Sequence, residues 1–561
     1  MKKYPSIADS DFQDEIMRVF PQYVIKKSKT FDEICYPKKY SLQIPQKFVA
    51  EFLNPDSPYT GLLVYHKIGA GKTCAAITIA EKFKKDKRII VVLPASLQGG
   101  FRSELISPCA NNSYITESER KQLSKFHPSS VEYSEIIDKT NKRINKVYTI
   151  YSYNKFLKLL KQGEINLNNV LLIIDEIHNL ISNTGTSYKI LHGNLVNIPD
   201  NSRLVLLSAT PIFDKPDEIA LLMNLFLKKN PMPTGSDFND LFIDVRETNS
   251  GIEYNAKNLG IFKQYIMGYI SYYRGAPPVS FPTYNPKIIN VNMSKLQYRA
   301  YKKIEKQASH DDDYMSNHFL IGTRLVSNFY YPGKKLNVDG EYMMKKKDYT
   351  LENMKKYSPK YVKIFQLLKK ADGPIFVYSN FKSFSGIYIF ADFLDHHGYK
   401  NYATHGPGPK RYAIWSGDQK LNYRNEIKAV YNNKNNSTGD KISIMLGSPS
   451  IKEGVTLLRV QQVHLIDPHF NHSRMDQIIG RAFRFCSHKD VAEKNRVVNV
   501  YIYISVYPKL ELSVEQHILA IADRKKHLNS QFELAIKESA VDCKLFKKDN
   551  IIDGDDIKCG L

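Results

Sequence analysis

Lys72 and Thr73 close a glycine-rich run in the segment LLVYHKIGAGKT, residues 62–73. Small residues between an apolar run and a helical pattern let backbone N–H groups cradle phosphate oxygens beside a helix N-terminus. Lys72 would then reach the β- and γ-phosphates of ATP, and the Thr73 hydroxyl would ligate Mg²⁺. His66, Lys67, Ile68, Gly69, Ala70 and Gly71 form the wall of that cradle. The strict loop pattern opens on glycine, whereas His66 holds that place here. Alone, the segment also fits an ordinary glycine-rich turn.

A second segment, VLLIIDEIHNL at 170–180, is a continuous apolar strand ending in two carboxylates. Asp175 can hold the Mg²⁺ shell, and Glu176 can polarise an attacking water. Adjacent acids can merely cap a loop, but their place downstream of a phosphate-type loop favours chemistry. His178 alone would read as a structural histidine; within DEIH it reads as functional. Ser208, Ala209 and Thr210 follow the run RLVLL. They either cap the next helix or couple the nucleotide site to a nucleic-acid groove. Arg481 and Arg484 stand three apart in QIIGRAFRFCSH, and the spacing predicts one helix face. That face is either solvated or carries arginine fingers reaching across a domain cleft to the γ-phosphate.

These residues need elements to position them. The runs at 62–65, 88–94, 170–176 and 203–208 predict buried parallel strands. The segment 74–85 between them predicts a helix, apolar on one face and basic on the other. The alternation returns at 374–380, 442–448 and 463–467, so the fold class is α/β with two units, each on a parallel sheet. The expected division is a lead-in over 1–40, a first unit over 41–280, a second over 281–512 and a tail over 513–561. Residues 211–280 read as mainly helical, 275–286 as a proline-rich crossing, and 305–350 as an insertion on the second unit. In the tail, Ile518, Ile521, Leu528, Phe532 and Ile536 fall near helical spacing. The polar end, 547–561, reads as free or ordered by a partner. Neither tail nor insertion is expected to add a residue to the nucleotide site, and both are candidate docking surfaces.

Composition narrows the class. The 561 residues carry 80 lysines and arginines against 57 acids, a net charge of +23 that suits a polyanionic partner. The wealth of Tyr, Asn and Ile matches an AT-rich coding bias, which inflates lysine as well. No apolar signal region follows the start, and VLLII at 170–174 is far too short to span a bilayer. The six cysteines form no CxxC pair, so the expectation is reduced thiols, no disulfide framework and no zinc site. Trp415, the sole tryptophan, suits packing at a strand end better than base stacking.

The ordered series HKIGAGKT, DEIH, SATP, GSPSIKEGVTL (447–457) and DQIIGRAFR (476–484) resembles superfamily two helicases over nearly the whole chain. It looks most like the chromatin-remodelling type of translocase. Within that branch it resembles the helicases of large cytoplasmic DNA viruses that include poxvirus nucleoside triphosphatase I and the early transcription factor small subunit. GYISYYRG (268–275), VNMSKLQYRAY (291–301), DPHFNHSRMDQIIGRAFR (467–484) and FELAIKESAVDC (532–543) add to the likeness. The resemblance implies two RecA-like domains and ATP hydrolysis with Mg²⁺. It implies Gln46 as the adenine-reading residue and Gly454 as part of the motif coupling both ligands. Pro94, Ser96, Ser152, Ser379 and Ser448 match loops that line the nucleic-acid path, though each also suits an ordinary loop.

The implied activity is a DNA-stimulated ATPase that moves along duplex or single-stranded DNA during viral transcription. An RNA helicase is the second reading. The third is a transcription-factor subunit that binds promoter or polymerase. Expected partners are DNA ahead of RNA, and viral RNA polymerase or transcription factors, with no membrane. The expected location is intracellular and soluble: for a viral chain, the host cytoplasm with its virus factories, and the virion.

Overall fold

Each apolar run named above becomes a strand with both faces covered, as parallel sheets between helices require. The computed structural model describes residues 4–25, 30–38, 40–67, 69–126, 130–182, 185–248, 251–308, 317–331, 344–452, 455–509, 512–551 and 557–560. Ile68, Gly454, the DDD and KKL stretches of the insertion and much of the polar end lie outside the described residues.

The first sheet holds β1 (Gly61–His66), β2 (Arg88–Leu93), β3 (Tyr148–Ser152), β4 (Val170–Ile174) and β5 (Arg203–Ser208). A short hairpin, β6 (Ile243–Thr248) with antiparallel β7 (Gly251–Ala256), stands apart, and β8 (Ile270–Tyr273) returns to the first sheet. The order is β3-β2-β4-β5-β1-β8, parallel throughout. Period-two alternation sends Leu63, Tyr65, Leu172 and Ile174 into the core on one face. Leu62, Val64, Leu171 and Ile173 enter the core on the other, against Ala75 and Ile79 of the helix Lys72–Phe83. The stretch 211–280 departs from its mainly helical expectation by carrying this hairpin and β8. Alternating residues such as Ile243, Val245 and Ile252, Tyr254 suit the hairpin.

The second sheet is built from β9 (Thr283–Asn292), β10 (Ile375–Tyr378), β11 (Lys400–Asn401), β12 (Arg411–Trp415), β13 (Ile444–Gly447), β14 (Gln462–Leu465) and β15 (Val497–Val506). Its order is β11-β12-β13-β10-β14-β15-β9, again all parallel. Trp415 is buried at the end of β12 with Tyr402, Ile427 and Met445 around it, the packing role expected of it. The helix Asn317–Asn328 of the insertion belongs to this unit, with Val326 fully buried.

Contacts divide the chain into Met1–Pro278 with Arg524–Leu561, and Val279–Asp523. Most of the tail is therefore part of the first unit. Leu528, Phe532 and Ile536 of the helix Val514–Ser539 are buried in the first unit's core, and Phe532 packs against Phe238 and Phe262. Ile518 is buried in the second unit beside Tyr301 and Val326. Four of the five residues at helical spacing are buried, and Ile521 is half-buried.

The cysteines differ from expectation. Cys74 is disulfide-bonded to Cys109 and Cys543 to Cys559, with sequence separations of 35 and 16. Neither separation is a motif, so only the fold brings the sulfurs together. No helix among the described residues is long and apolar enough to cross a membrane.

Candidate functional site

Parallel strands gather ligand sites at their carboxyl ends, and the candidate residues of the first unit collect there. β1 ends at His66, and the chain turns through Gly69 and Gly71, at φ of 88° and 70°, into the helix beginning at Lys72. Gly71 is required by its backbone conformation. Its backbone is left-handed, and a Cβ there would collide with Gln46 Nε2. Gln46 is buried in the helix Ile44–Phe52 and donates from Nε2 to Gly71 O at 3.2 Å. Phe48, Val49 and Phe52 of that helix share an apolar core with Ala75, Ala76 and Ile79 of the helix after the loop, and this packing with the hydrogen bond holds the glutamine against the loop. Ala70 is buried, and Ala70 N donates to Lys67 O at 3.2 Å, which tightens the turn.

Across the sheet, β4 delivers Asp175 and Glu176. Asp175 is 6% exposed; its N–H donates to Val92 O at 2.8 Å, and its Oδ1 accepts from Glu176 N at 2.9 Å. Lys72 Nζ lies 3.6 Å from Glu176 Oε1. Burial first, then the neighbouring Glu176 charge, pushes the Asp175 carboxyl up to about 7. A divalent cation beside it would hold it ionised. A buried carboxylate and the Thr73 hydroxyl, on the second residue of its helix, make an all-oxygen donor set of the kind Mg²⁺ takes.

Glu176 occupies the left-handed region, φ 48° and ψ 47°. A non-glycine residue there costs about 1–3 kcal/mol and persists only where its surroundings impose it. One such constraint is Tyr153, whose hydroxyl lies against the carbonyls of Asp175 and Glu176, 2.9 Å from the latter. His178 continues the chain of contacts. Its Nδ1 is 3.5 Å from Glu176 Oε2 and 3.1 Å from Ser208 Oγ, and its ring stacks on Phe213. Ser208 Oγ also accepts from Thr210 N at 3.0 Å, and Ala209 between them is buried. His178 of DEIH and the SATP segment are thus hydrogen-bonded to each other, with the Glu176 carboxylate 3.5 Å from the same imidazole.

The remaining candidates sit at strand ends. Pro94 and Ser96 follow β2, Ser152 ends β3, Ser379 follows β10 and Ser448 follows β13. Ser96 is exposed and Ser152 half-buried, whereas Pro94, Ser379 and Ser448 are buried, and Ser379 gives its hydroxyl proton to Asp467 at 2.5 Å. Arg481 and Arg484 do not share a helix as their spacing predicted. The helix His472–Ile479 stops at Gly480; Arg481 lies in the turn after it and Arg484 in irregular chain beyond. Arg481 Nε donates to Gln477 O at 3.2 Å.

Sequence reasoning missed Tyr153 and Phe213, which brace the acid pair and His178. It also missed two tail residues. Glu533 stands 3.5 Å from Lys67, so the tail does touch a residue of the loop, and Asp542 reaches β8. FELAIKESAVDC holds both, and that segment's family likeness was the signal available.

Known proteins share this pattern. An SNF2-related domain matches residues 45–340, and a helicase conserved C-terminal domain matches residues 359–486. A protein of Acanthamoeba polyphaga mimivirus, named as an ATP-dependent RNA helicase, is 50% identical over 99% of both chains. A helicase of Invertebrate iridescent virus 3 is 29% identical over 95% of this chain and 56% of its own. An African swine fever virus protein, named as a homologue of termination factor NPH-I, is 26% identical over 86% of this chain and 76% of its own. With both domain models matched in order and one relative alike from end to end, the chain belongs to the superfamily two helicases of large DNA viruses, ATP-hydrolysing motors with an SNF2-related first domain.

Proposed function

We propose that the chain is a DNA-stimulated ATPase that translocates along its polymer during viral transcription. The observation that carries the nucleotide half is the approach of Lys72 to Glu176, from the ends of two different strands, beside buried Asp175. In this reading Gln46 reads the adenine, and the loop from His66 to Thr73 holds the triphosphate. Glu176 polarises the attacking water. Mg²⁺, held by Thr73 and Asp175, supplies charge neutralisation at the phosphates. Arg481 and Arg484 counter the charge that develops on the transferring phosphate. His178, Ser208 and Thr210 pass the nucleotide state to the polymer-binding loops, with Gly454 completing the coupling motif. Ser96 and Ser152, the two candidate strand-end residues that are not buried, are proposed to follow the backbone, which is contact without sequence readout.

The surplus of 23 positive charges supports a polyanionic track, and the relative named as a termination-factor homologue supports a place in transcription. The relative named as an ATP-dependent RNA helicase supports the second reading, an RNA motor. Hydrolysis measured with duplex DNA, single-stranded DNA and RNA separates the two. DNA should stimulate strongly, and stimulation should fall as salt rises because phosphate contacts release counterions. Equal or greater stimulation by RNA replaces the first reading with the second. Displacement of a triplex strand without duplex separation marks a translocase. In the host cytoplasm the proposed partners are viral RNA polymerase and its factors; retention of a polymerase subunit from infected-cell extract after nuclease treatment tests that.

A further inference from the structure

β8 is an edge strand, and the C-terminal tail closes its open side. Val541 N donates to Ile270 O at 2.8 Å, Tyr272 N to Asp542 Oδ1 at 2.9 Å, and Arg274 N to Asn550 Oδ1 at 2.9 Å. From this edge a polar path runs inward. Ser271 Oγ donates to Asp542 Oδ2 and lies 2.9 Å from His66 Nε2. His66, Ser271 and Asp542 are each 0% exposed. Earlier in the tail, Glu533 Oε2 accepts from Tyr65 OH at 3.1 Å and stands 3.5 Å from Lys67 Nζ. Two tail carboxylates therefore reach three consecutive residues, Tyr65 and Lys67 directly and His66 through Ser271.

Hydrogen-bond accounting fixes what this path does. An ionised Asp542 only accepts. Ser271 then gives it a proton and must accept from His66 Nε2–H, which leaves Nδ1 as a bare lone pair. A neutral acid or an amide at 542 donates to Ser271 instead. Ser271 then donates to Nε2, and the imidazole proton moves to Nδ1. His66 stays uncharged in either case, since burial, and next the Lys72 charge, pushes it down to about 3. Nδ1 is buried and has no partner among the described residues. As an acceptor it can take a loop N–H or a water; as a donor it repels the same N–H.

We propose that Asp542 is a positioning residue for the nucleotide loop, acting through Ser271 to set the tautomer of His66. The proposal rests on reading residues 66–73 as the triphosphate site. It makes the tail a working part of the motor, beyond its packing.

The test uses the full chain with ¹⁵N-histidine, reading the His66 ring shifts, the KM for ATP and the melting temperature. Wild type, at a pH above the raised range of Asp542, should show Nε2–H. Asp542→Asn, which keeps the shape and the bond from Tyr272 N, should show Nδ1–H and raise KM about three- to tenfold, the worth of one hydrogen bond. Ser271→Ala should raise KM similarly, and the double variant should be no worse than the worse single one. Gln13→Ala removes two bonds to carbonyls of the tail just before Asp542, of Glu538 and Ala540, and none of the hydrogen bonds from Asp542 to His66. It should lower the melting temperature and leave both tautomer and KM alone. The same tautomer in wild type and Asp542→Asn, an unchanged KM in the folded variants, or an equal rise in Gln13→Ala would overturn the proposal. Lys72→Ala separates the premises: if it leaves nucleotide binding intact, the reading of the loop fails as well; if it abolishes binding while Asp542→Asn and Ser271→Ala do nothing, only the relay fails.

Discussion

Lys72 Nζ and Glu176 Oε1 stand 3.6 Å apart, with their side chains 13% and 26% exposed. The proposed phosphate cation and the proposed water-activating carboxylate are thus within ion-pair range of each other. Lys72→Ala should weaken nucleotide binding, while Glu176→Gln should keep binding and lose turnover, because only the carboxylate acts on the water. Nucleotide affinity and steady-state hydrolysis, measured on both variants, check this. Normal turnover by Glu176→Gln ends the assignment.

Tyr153 holds the strained backbone at Glu176 through one hydroxyl. Tyr153→Phe should cost about 1 kcal/mol of stability and lower kcat more than ATP affinity, since the carboxylate loses its fixed aim. Denaturant melts and a kcat-against-KM split give the answer. A stability loss with unchanged kcat would leave Tyr153 a purely structural residue.

Phe532 lies in the first unit's core between the rings of Phe238 and Phe262, at centroid distances of 5.6 and 5.2 Å. Phe532→Ala should therefore destabilise by about 3–5 kcal/mol. The loss appears in chemical unfolding followed by fluorescence. A change within about 0.5 kcal/mol, the surface range, would return this part of the tail to a free docking element.

Burial pushes the Asp542 carboxyl up to about 7, well above its unfolded value. A raised carboxyl binds its proton more tightly in the folded state, so its contribution is greatest at acid pH and is lost as pH rises toward 7. Asp542→Asn cannot titrate. The melting temperature of wild type minus that of the variant should fall as pH goes from about 4 to about 7 and then level off. A difference flat across that window contradicts the shift.

Lys72, Thr73, Asp175, Glu176 and the strands behind them were legible because their chemistry is local. A glycine turn must precede a helix start, and acids must follow a buried apolar run, so short windows of sequence carry both. The same holds for the apolar stripe of Leu528, Phe532 and Ile536. Helical spacing also suggested a shared face for Arg481 and Arg484, but spacing cannot tell where a helix stops, and Gly480 ends it one residue earlier. Contacts between distant segments left no local trace. The Cys74–Cys109 and Cys543–Cys559 bonds, the Tyr153 brace and the path from Asp542 through Ser271 to His66 each join residues by folding alone. Sequence alone determined which chemistry the chain carries, because residue type and short spacing specify it. Only the tertiary structure decided what holds that chemistry in place, because a buried polar group finds its partner wherever the packed chain brings one, 271 residues away in the case of Ser271 and Asp542.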